Sequence, residues 1–183
     1  MKRIRRANLS HVDGDGRLRM VDVSAKPVTL RTACAEGCVR VSAALARAVR
    51  ECALKKGDLL AAARLAGIQA AKRTAELIPL CHPLPLEWAD VEVRLRGRRV
   101  CIRAEVRTTA RTGAEMEALT AVAVAALTVI DMGKAVDPAM VVDGIRVTNK
   151  TGGLSGDYAA SSGRAAAHRR AGGSGRRVHR RHI

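Results

Sequence analysis

Hydrophobic and polar positions change their period several times along the chain, and each change marks an element. "RLRMVDVSA" (17–25) and "VTLRTACAEGCVRV" (28–41) read as strands. "SAALARAVRECA" (42–53) switches to helical spacing, and "GDLLAAARLAGIQAAKRTAELI" (57–78) predicts a longer helix. Asp58 stands where it can cap that helix, and Pro79 ends it. "ADVEVRLRGRRVCIRAEVRT" predicts a hairpin: Val91, Val93 and Leu95 alternate with charge, Gly97 turns the chain, and Val100, Ile102 and Ala104 alternate back. "AEMEALTAVAVAALTVIDMGKAV" (114–136) predicts the core helix, and "GIRVTNK" (144–150) a final strand. Strands and helices interleaved around an antiparallel hairpin predict an α+β fold, a two-layer sandwich of antiparallel sheet packed by helices.

Composition narrows this picture. The chain has 183 residues, 48% of them hydrophobic, enough for one globular domain with a core. Aromatic residues are Trp88 and Tyr158 with no Phe, so Ala, Val, Leu and Ile must fill that core. The net charge of +16 is unevenly spread: seven arginines and no acids lie between Ala159 and Ile183, and Lys2, Arg3, Arg5 and Arg6 crowd the start. We therefore expect a mobile basic leader (1–17), a mildly basic folded body (18–158) and a disordered tail (159–183) rich in Arg, Gly, Ser and Ala. A mildly basic body suits an anionic small molecule as well as a polymer. The N-terminus lacks the apolar stretch of a secretory signal. The uncharged run Ala118–Ile130 is too short to span a bilayer, so the expected setting is cytoplasmic. In that setting the five cysteines (34, 38, 52, 81 and 101) read as small buried residues.

The chemistry concentrates in a few places. Cys81-His82 sits between prolines in "AELIPLCHPLPLEW". Neighbouring residues of an extended segment face opposite ways, which disfavours a shared metal or a Cys-His nucleophile. Two readings stand: a rigid loop offering His82 and nearby amides as donors, or a buried structural histidine. Thr112-Gly113-Ala114-Glu115 fits a capping box. Glu117 follows on another face, either a helix-friendly first-turn acid or a site residue. Asp131 and Lys134 lie i,i+3 near the helix end, where an acid opposes the macrodipole and needs another reason to be there. Lys55-Lys56-Gly57-Asp58 puts lysine before a helix N-terminus, a place that favours anions. Lys150 leads into "TGGLSGD", which reads equally as a phosphate-cradling loop or as a linker. No P-loop, G-x-G-x-x-G or aromatic stacking platform occurs, which argues against a Walker NTPase, a dinucleotide enzyme and a single-strand binder.

Four blocks, "MVDVSAK" (20–26), "KGDLLAAARLAGIQAAKRTAELIPLCHPL" (56–84), "TGAEMEALTAVAVAALTVIDMGKAV" (112–136) and "KTGGLSGD" (150–157), together resemble the MoaC family of molybdenum-cofactor biosynthesis. The resemblance implies a ferredoxin-like fold, a hexamer built as a trimer of dimers, and active sites between subunits. It implies conversion of 3′,8-cyclo-7,8-dihydro-GTP into cyclic pyranopterin monophosphate and pyrophosphate, a lyase reaction that needs no redox group. A divalent cation such as Mg²⁺ accompanying the triphosphate is compatible with it, and no protein-bound metal is implied. By the same resemblance Asp131, Lys56 and Lys134 are catalytic. Leu80, Cys81, His82, Glu115, Met116, Glu117, Lys150 and Arg31 line the substrate pocket.

Three departures from the family pattern stand out: Leu154 where the glycine loop usually carries a basic residue, Arg111 where lysine is frequent, and Gly133 where a larger residue is usual. The arginine-rich tail lies outside that pattern and sets up a rival reading, a nucleic-acid-binding protein; beside the enzyme reading the tail supplies only non-specific polyanion binding. Glu115 and Asp131 are 16 residues apart on one helix, about 24 Å at ~1.5 Å per residue. One compact pocket can use both only if a second subunit brings its copy alongside.

Overall fold

The computed structural model describes residues 15–153 and 156–161. Its framework is a five-stranded antiparallel sheet with one face covered by helices. The first strand, β1 (Thr29–Arg40), is followed by α1 (Ala43–Arg50), α2 (Leu59–Ala71) and the single turn α3 (Thr74–Leu77). Then come β2 (Leu86–Arg96), β3 (Arg99–Ala110), the long helix α4 (Glu115–Gly133), β4 (Val141–Thr151) and the short β5 (Tyr158–Ala159). The strand order is β2-β3-β1-β4-β5, so β1 pairs with β3 on one side and β4 on the other. This architecture is consistent with a ferredoxin-like sandwich.

Side-chain alternation settles which face meets the helices. Val100, Ile102, Ala104 and Val106 of β3 are at most 1% exposed, while the residues between them point away. They pack with Ala33, Ala35 and Val39 of β1 against Ala118, Ala121, Val122, Ala125 and Val129 of α4. Truncating a large member of this core, Ile102 or Leu59, to alanine should cost about 2–5 kcal/mol. Helices α2 and α4 approach closely because the contact is lined by small residues. A Cβ added at Gly67 would sit 2.9 Å from the Ala121 carbonyl oxygen and 3.2 Å from the Val91 methyls. By length and composition α4 passes as a membrane span, yet half of it is buried inside the fold.

One helix start follows its predicted cap, Asp58, and Ser42 caps another. Asp58 accepts from the amides of Leu60 (2.9 Å) and Ala61 (3.0 Å), and Ser42 accepts from Leu45 (3.2 Å). Of the five cysteines expected to be buried only Cys34 is, and Cys52 is exposed. Three expectations of local structure also fail. Residues 17–25 form no strand beyond an isolated bridge at Leu18. Asp22 takes hydrogen bonds from the amide (2.8 Å) and hydroxyl (2.6 Å) of Ser24, which turns the chain, and Leu18 and Met20 stay exposed. The helix expected over 57–78 breaks at Lys72-Arg73, where the Thr74 hydroxyl donates back to the Ala71 carbonyl at 3.0 Å. The capping box does not form either: the cap lies two residues later, at Ala114 rather than Thr112, with no side-chain cap bond. The expectations for the leader before residue 15, for Leu154 and for the tail beyond residue 161 lie outside the described residues.

Candidate active site

The charged residues that the sequence singles out gather at the two ends of α4. At its C-terminal end, Asp131 is held between two lysines. Lys56 Nζ donates to Asp131 Oδ2 at 2.9 Å, and Lys134 Nζ reaches Oδ1 at 2.8 Å. Lys56 also donates to the main-chain carbonyl of Asp131 at 2.8 Å. This resolves the misplaced acid: a lysine from the loop before α2 serves the end of α4 and neutralises Asp131 together. The two lysines, with Lys134 first, pull the Asp131 carboxyl down to about 2. All three side chains are exposed, 49% for Lys56, 62% for Lys134 and 60% for Asp131. Exposed pairs of this kind add little to folding. The cluster is a site open to a ligand, or to another chain, on one side.

The N-terminal end of α4 carries a different set. Lys150 Nζ lies 3.0 Å from Glu115 Oε1, both half-buried. That pairing occupies the carboxylate which the capping box would have used, and the same carboxylate lies over Gly113, where any Cβ would collide with it. Arg31 is 7% exposed. Its Nε donates to the Ala110 carbonyl at 3.1 Å and Nη2 to the Arg111 carbonyl at 3.2 Å, tying β1 to the turn before α4. Gly152 and Gly153 have φ of +86° and +87°. A side chain on Gly152 would strike the Leu30 carbonyl, and one on Gly153 the Arg31 guanidinium. The glycine loop can therefore wrap Arg31 only as glycine. One of its amides is already used, since Gly152 donates to Asp157 Oδ1 at 3.1 Å.

Around this frame lies a cavity of about 290 Å³ lined by Lys26, Arg31, Arg111, Thr112, Glu115, Lys150 and Gly152, among others. Four cations against one carboxylate make it a receptor for an anion of phosphate type. Lys26 and Arg111 are additions to the residues proposed from sequence. Lys26 ends the "MVDVSAK" block, and that position was its only signal.

The first turn of α4 carries the third element. Glu117, on the next face of α4, is 3% exposed. Burial raises its carboxyl to about 7, with a smaller push from Glu115 and an opposing hydrogen bond from its own amide. Cys81 is close enough to feel it: burial first, then the Glu117 charge, raises the thiol above its ordinary range. The proline-framed loop thus brings Cys81 near Glu117 at the start of α4. Leu80 and His82 are half-buried in the same loop, and Met116 is exposed beside it. Among the described residues His82 has no hydrogen-bond partner. Among those residues no three His, Cys, Asp or Glu side chains converge as a metal site would need.

The clusters at the two ends of α4 do not meet within one chain. Asp131 follows Glu115 by 16 residues of continuous helix, so about 24 Å separates them at ~1.5 Å per residue.

Comparison with known proteins identifies the family. Residues 20–153 match the MoaC family. A protein of Thermomicrobium roseum described as cyclic pyranopterin monophosphate synthase is 57% identical over 154 residues, 83% of this chain and 93% of the relative. Proteins with the same description from Nocardioides (58% over 153 residues, 82% and 94%) and Nostoc (54% over 156 residues, 83% and 92%) are comparably similar. The matched segment spans β1 through β4 and contains every charged residue of the clusters described, and the chain belongs to the MoaC family.

Proposed function

We propose that this chain is a cyclic pyranopterin monophosphate synthase. It converts 3′,8-cyclo-7,8-dihydro-GTP into cyclic pyranopterin monophosphate and pyrophosphate, within molybdenum-cofactor biosynthesis in the cytoplasm. Relatives with this description at 54–58% identity over more than nine-tenths of their length support the reading. The single structural observation that carries it is the pairing of a cationic cavity at one end of α4 with a Lys-Asp-Lys cluster at the other.

The roles follow from chemistry. Lys26, Arg31, Arg111 and Lys150 supply counter-charge for the triphosphate and for the pyrophosphate that leaves when a sugar oxygen attacks the α-phosphorus. Ring opening and rebuilding need proton transfers. A carboxyl held near 2 is a weak base and an unavailable acid at neutrality, so Asp131 orients Lys56 and Lys134, and the ammonium groups move the protons. Glu117, balanced near 7 in the first turn of α4 and close to Cys81, is the second proton carrier.

The site is shared between subunits of a homo-oligomer, a hexamer arranged as three dimers. The 24 Å separation supports this, and so does the exposure of Lys56 and Lys134, because a lysine acts as an acid-base group near neutrality only when something desolvates it. A neighbouring copy supplies that cover. The direct test is incubation of the purified full-length protein with the cyclic dihydro-GTP substrate, measuring pyrophosphate. Release at a rate that saturates with substrate is expected; a folded oligomeric sample that releases none overturns the assignment. The basic tail contributes non-specific polyanion binding alone, so a chain shortened before residue 159 should lose that binding and keep turnover.

A further inference from the structure

The sheet face turned away from the helices carries chemistry that the reaction above does not use. Cys38 on β1 and Cys101 on β3 are directly opposite each other in the antiparallel register, and both are half-buried free thiols. Opposed residues in such a ladder have Cα atoms about 4.5–5.5 Å apart. That falls within the about 4.4–6.8 Å that a disulfide spans. Cys34 shares the face but lies four residues along β1, about 13 Å away at ~3.3 Å per residue, out of bonding range. The pair is therefore exclusive.

A third side chain singles out one of the two sulfurs. Arg99 Nη2 donates to Cys38 Sγ at 3.1 Å. The same guanidinium reaches Asp143 at 3.7 Å, and Asp143 is the partner of Cys38 on β4. The contact with Cys38 is the largest influence on Arg99, whose proton affinity is raised, and Cys101 adds to it from the other side. The guanidinium on this sulfur supplies counter-charge where an attacking thiolate would form, and it also offsets the nearby carboxylate. These residues line an open groove of about 950 Å³ whose other charges are Arg94, Arg96, Arg103 and Arg146 against Glu36 and Glu92. Glu92 pairs with Arg94 and Glu36 with Arg146, so Arg96 and Arg103 remain as counter-charge for an anionic disulfide.

We propose that Cys38 and Cys101 form a thiol-disulfide exchange site which closes on reaction with a small anionic disulfide of the glutathione type. The Cys38 thiolate attacks one sulfur of the small disulfide and expels its first thiolate. Cys101 then attacks the sulfur of Cys38 in the mixed disulfide, releasing the second thiolate and its own proton. The protein dithiol is oxidised by two electrons, and one small disulfide becomes two small thiols. The closed bond staples β1 to β3 across the open face of the sheet, and excess small thiol reverses it by the same steps.

The experiment uses the full chain and oxidised glutathione as the probe, followed by intact mass and peptide mapping without reduction. Expected are a monomer lighter by two hydrogens and a peptide linking Cys38 to Cys101. In Cys101→Ser the second step is lost, and Cys38 should keep one glutathione. In Arg99→Gln, closure should be slower, because both the attacking sulfur and the anionic disulfide lose the counter-charge at Cys38. Glutathione accumulating at the exposed Cys52 or at Cys81 with no link between Cys38 and Cys101 overturns the proposal, as does a link found only between two chains. An unchanged rate in Arg99→Gln removes the arginine from it.

Discussion

Replacing Glu117 by glutamine separates a structural carboxyl from one tuned for proton transfer. The folded chain holds this carboxyl at about 7 against an ordinary 4.5, mainly because it is buried at the start of α4. A raised carboxyl means that the folded state prefers the protonated, neutral form. Its favourable contribution is complete below about 4.5 and is lost as pH rises through about 7. The gap corresponds to about 3 kcal/mol at ~1.36 kcal/mol for each decade of acidity. Glutamine keeps the shape and cannot ionise. At pH 4 the two proteins should therefore unfold at similar urea concentrations, and by pH 8 Glu117→Gln should be the more stable by up to about 3 kcal/mol, compared at one protein concentration. Pyrophosphate release should show the counterpart: wild type displays a pH limb near 7, and Glu117→Gln loses the limb with most of the activity. A stability difference that stays flat from pH 4 to 8 would refute the argument that burial holds the proton on Glu117.

Lys56→Arg and Lys134→Arg keep the charge on Asp131 but can hardly deprotonate, so turnover should fall by roughly 10²-fold or more while substrate still binds; near-normal rates in single-turnover assays of both would reduce these lysines to counter-ions. Glu117→Ala mixed with Asp131→Ala under subunit exchange should recover activity, at most about a quarter of wild-type sites by random pairing, and continued inactivity of mixed oligomers verified by mass would show that each pocket is built from one chain. Gly153→Ala drives a methyl into the Arg31 guanidinium from a left-handed backbone; KM for the triphosphate substrate should rise more than kcat falls, and unchanged kinetics would remove the glycine loop from phosphate binding. Lowering the pH from 4 towards 2 should break the Asp131 pairs, since a depressed carboxyl keeps its partners above its ordinary 3.8 and loses them through about 2; proton resonances of the two lysine side chains, followed by NMR, should shift together over that window.

Much of this architecture is legible in the chain because periodicity and local chemistry agree. The hairpin around Gly97 alternates cleanly on both arms, and Asp58 has no competing partner for its cap. Legibility ends where a residue has two physically reasonable uses. Glu115 satisfies a capping motif on paper, but Lys150, brought in by β4 from 35 positions away, takes its carboxylate. Residues 17–25 alternate like a strand, yet pairing stops at one bridge at Leu18, and the Asp22 side chain holds the chain in a turn instead. The reason for Asp131 is also tertiary, because Lys56 arrives from the other side of α2. The Cys38–Cys101 pairing depends on strand register, which alternation within single strands leaves open by steps of two.

The alanine-lined contact between α2 and α4 has a consequence for how the molecule is tuned. Thirteen of the twenty-four buried hydrophobic residues among those described are alanines. Alanine has no rotamers to exchange, so this seam holds its alignment without any side-chain adjustment and loses no side-chain entropy in doing so. Helix α4 is thereby a ruler with a locked phase. Adding one residue within it would turn everything downstream by about 100° and advance it by ~1.5 Å. Asp131 would swing off Lys56, and the small-residue stripe would swing off Gly67 in the same motion. Length and phase of this helix are consequently bound together: the chain cannot adjust the spacing of its two chemical ends without also dismantling the seam that holds them.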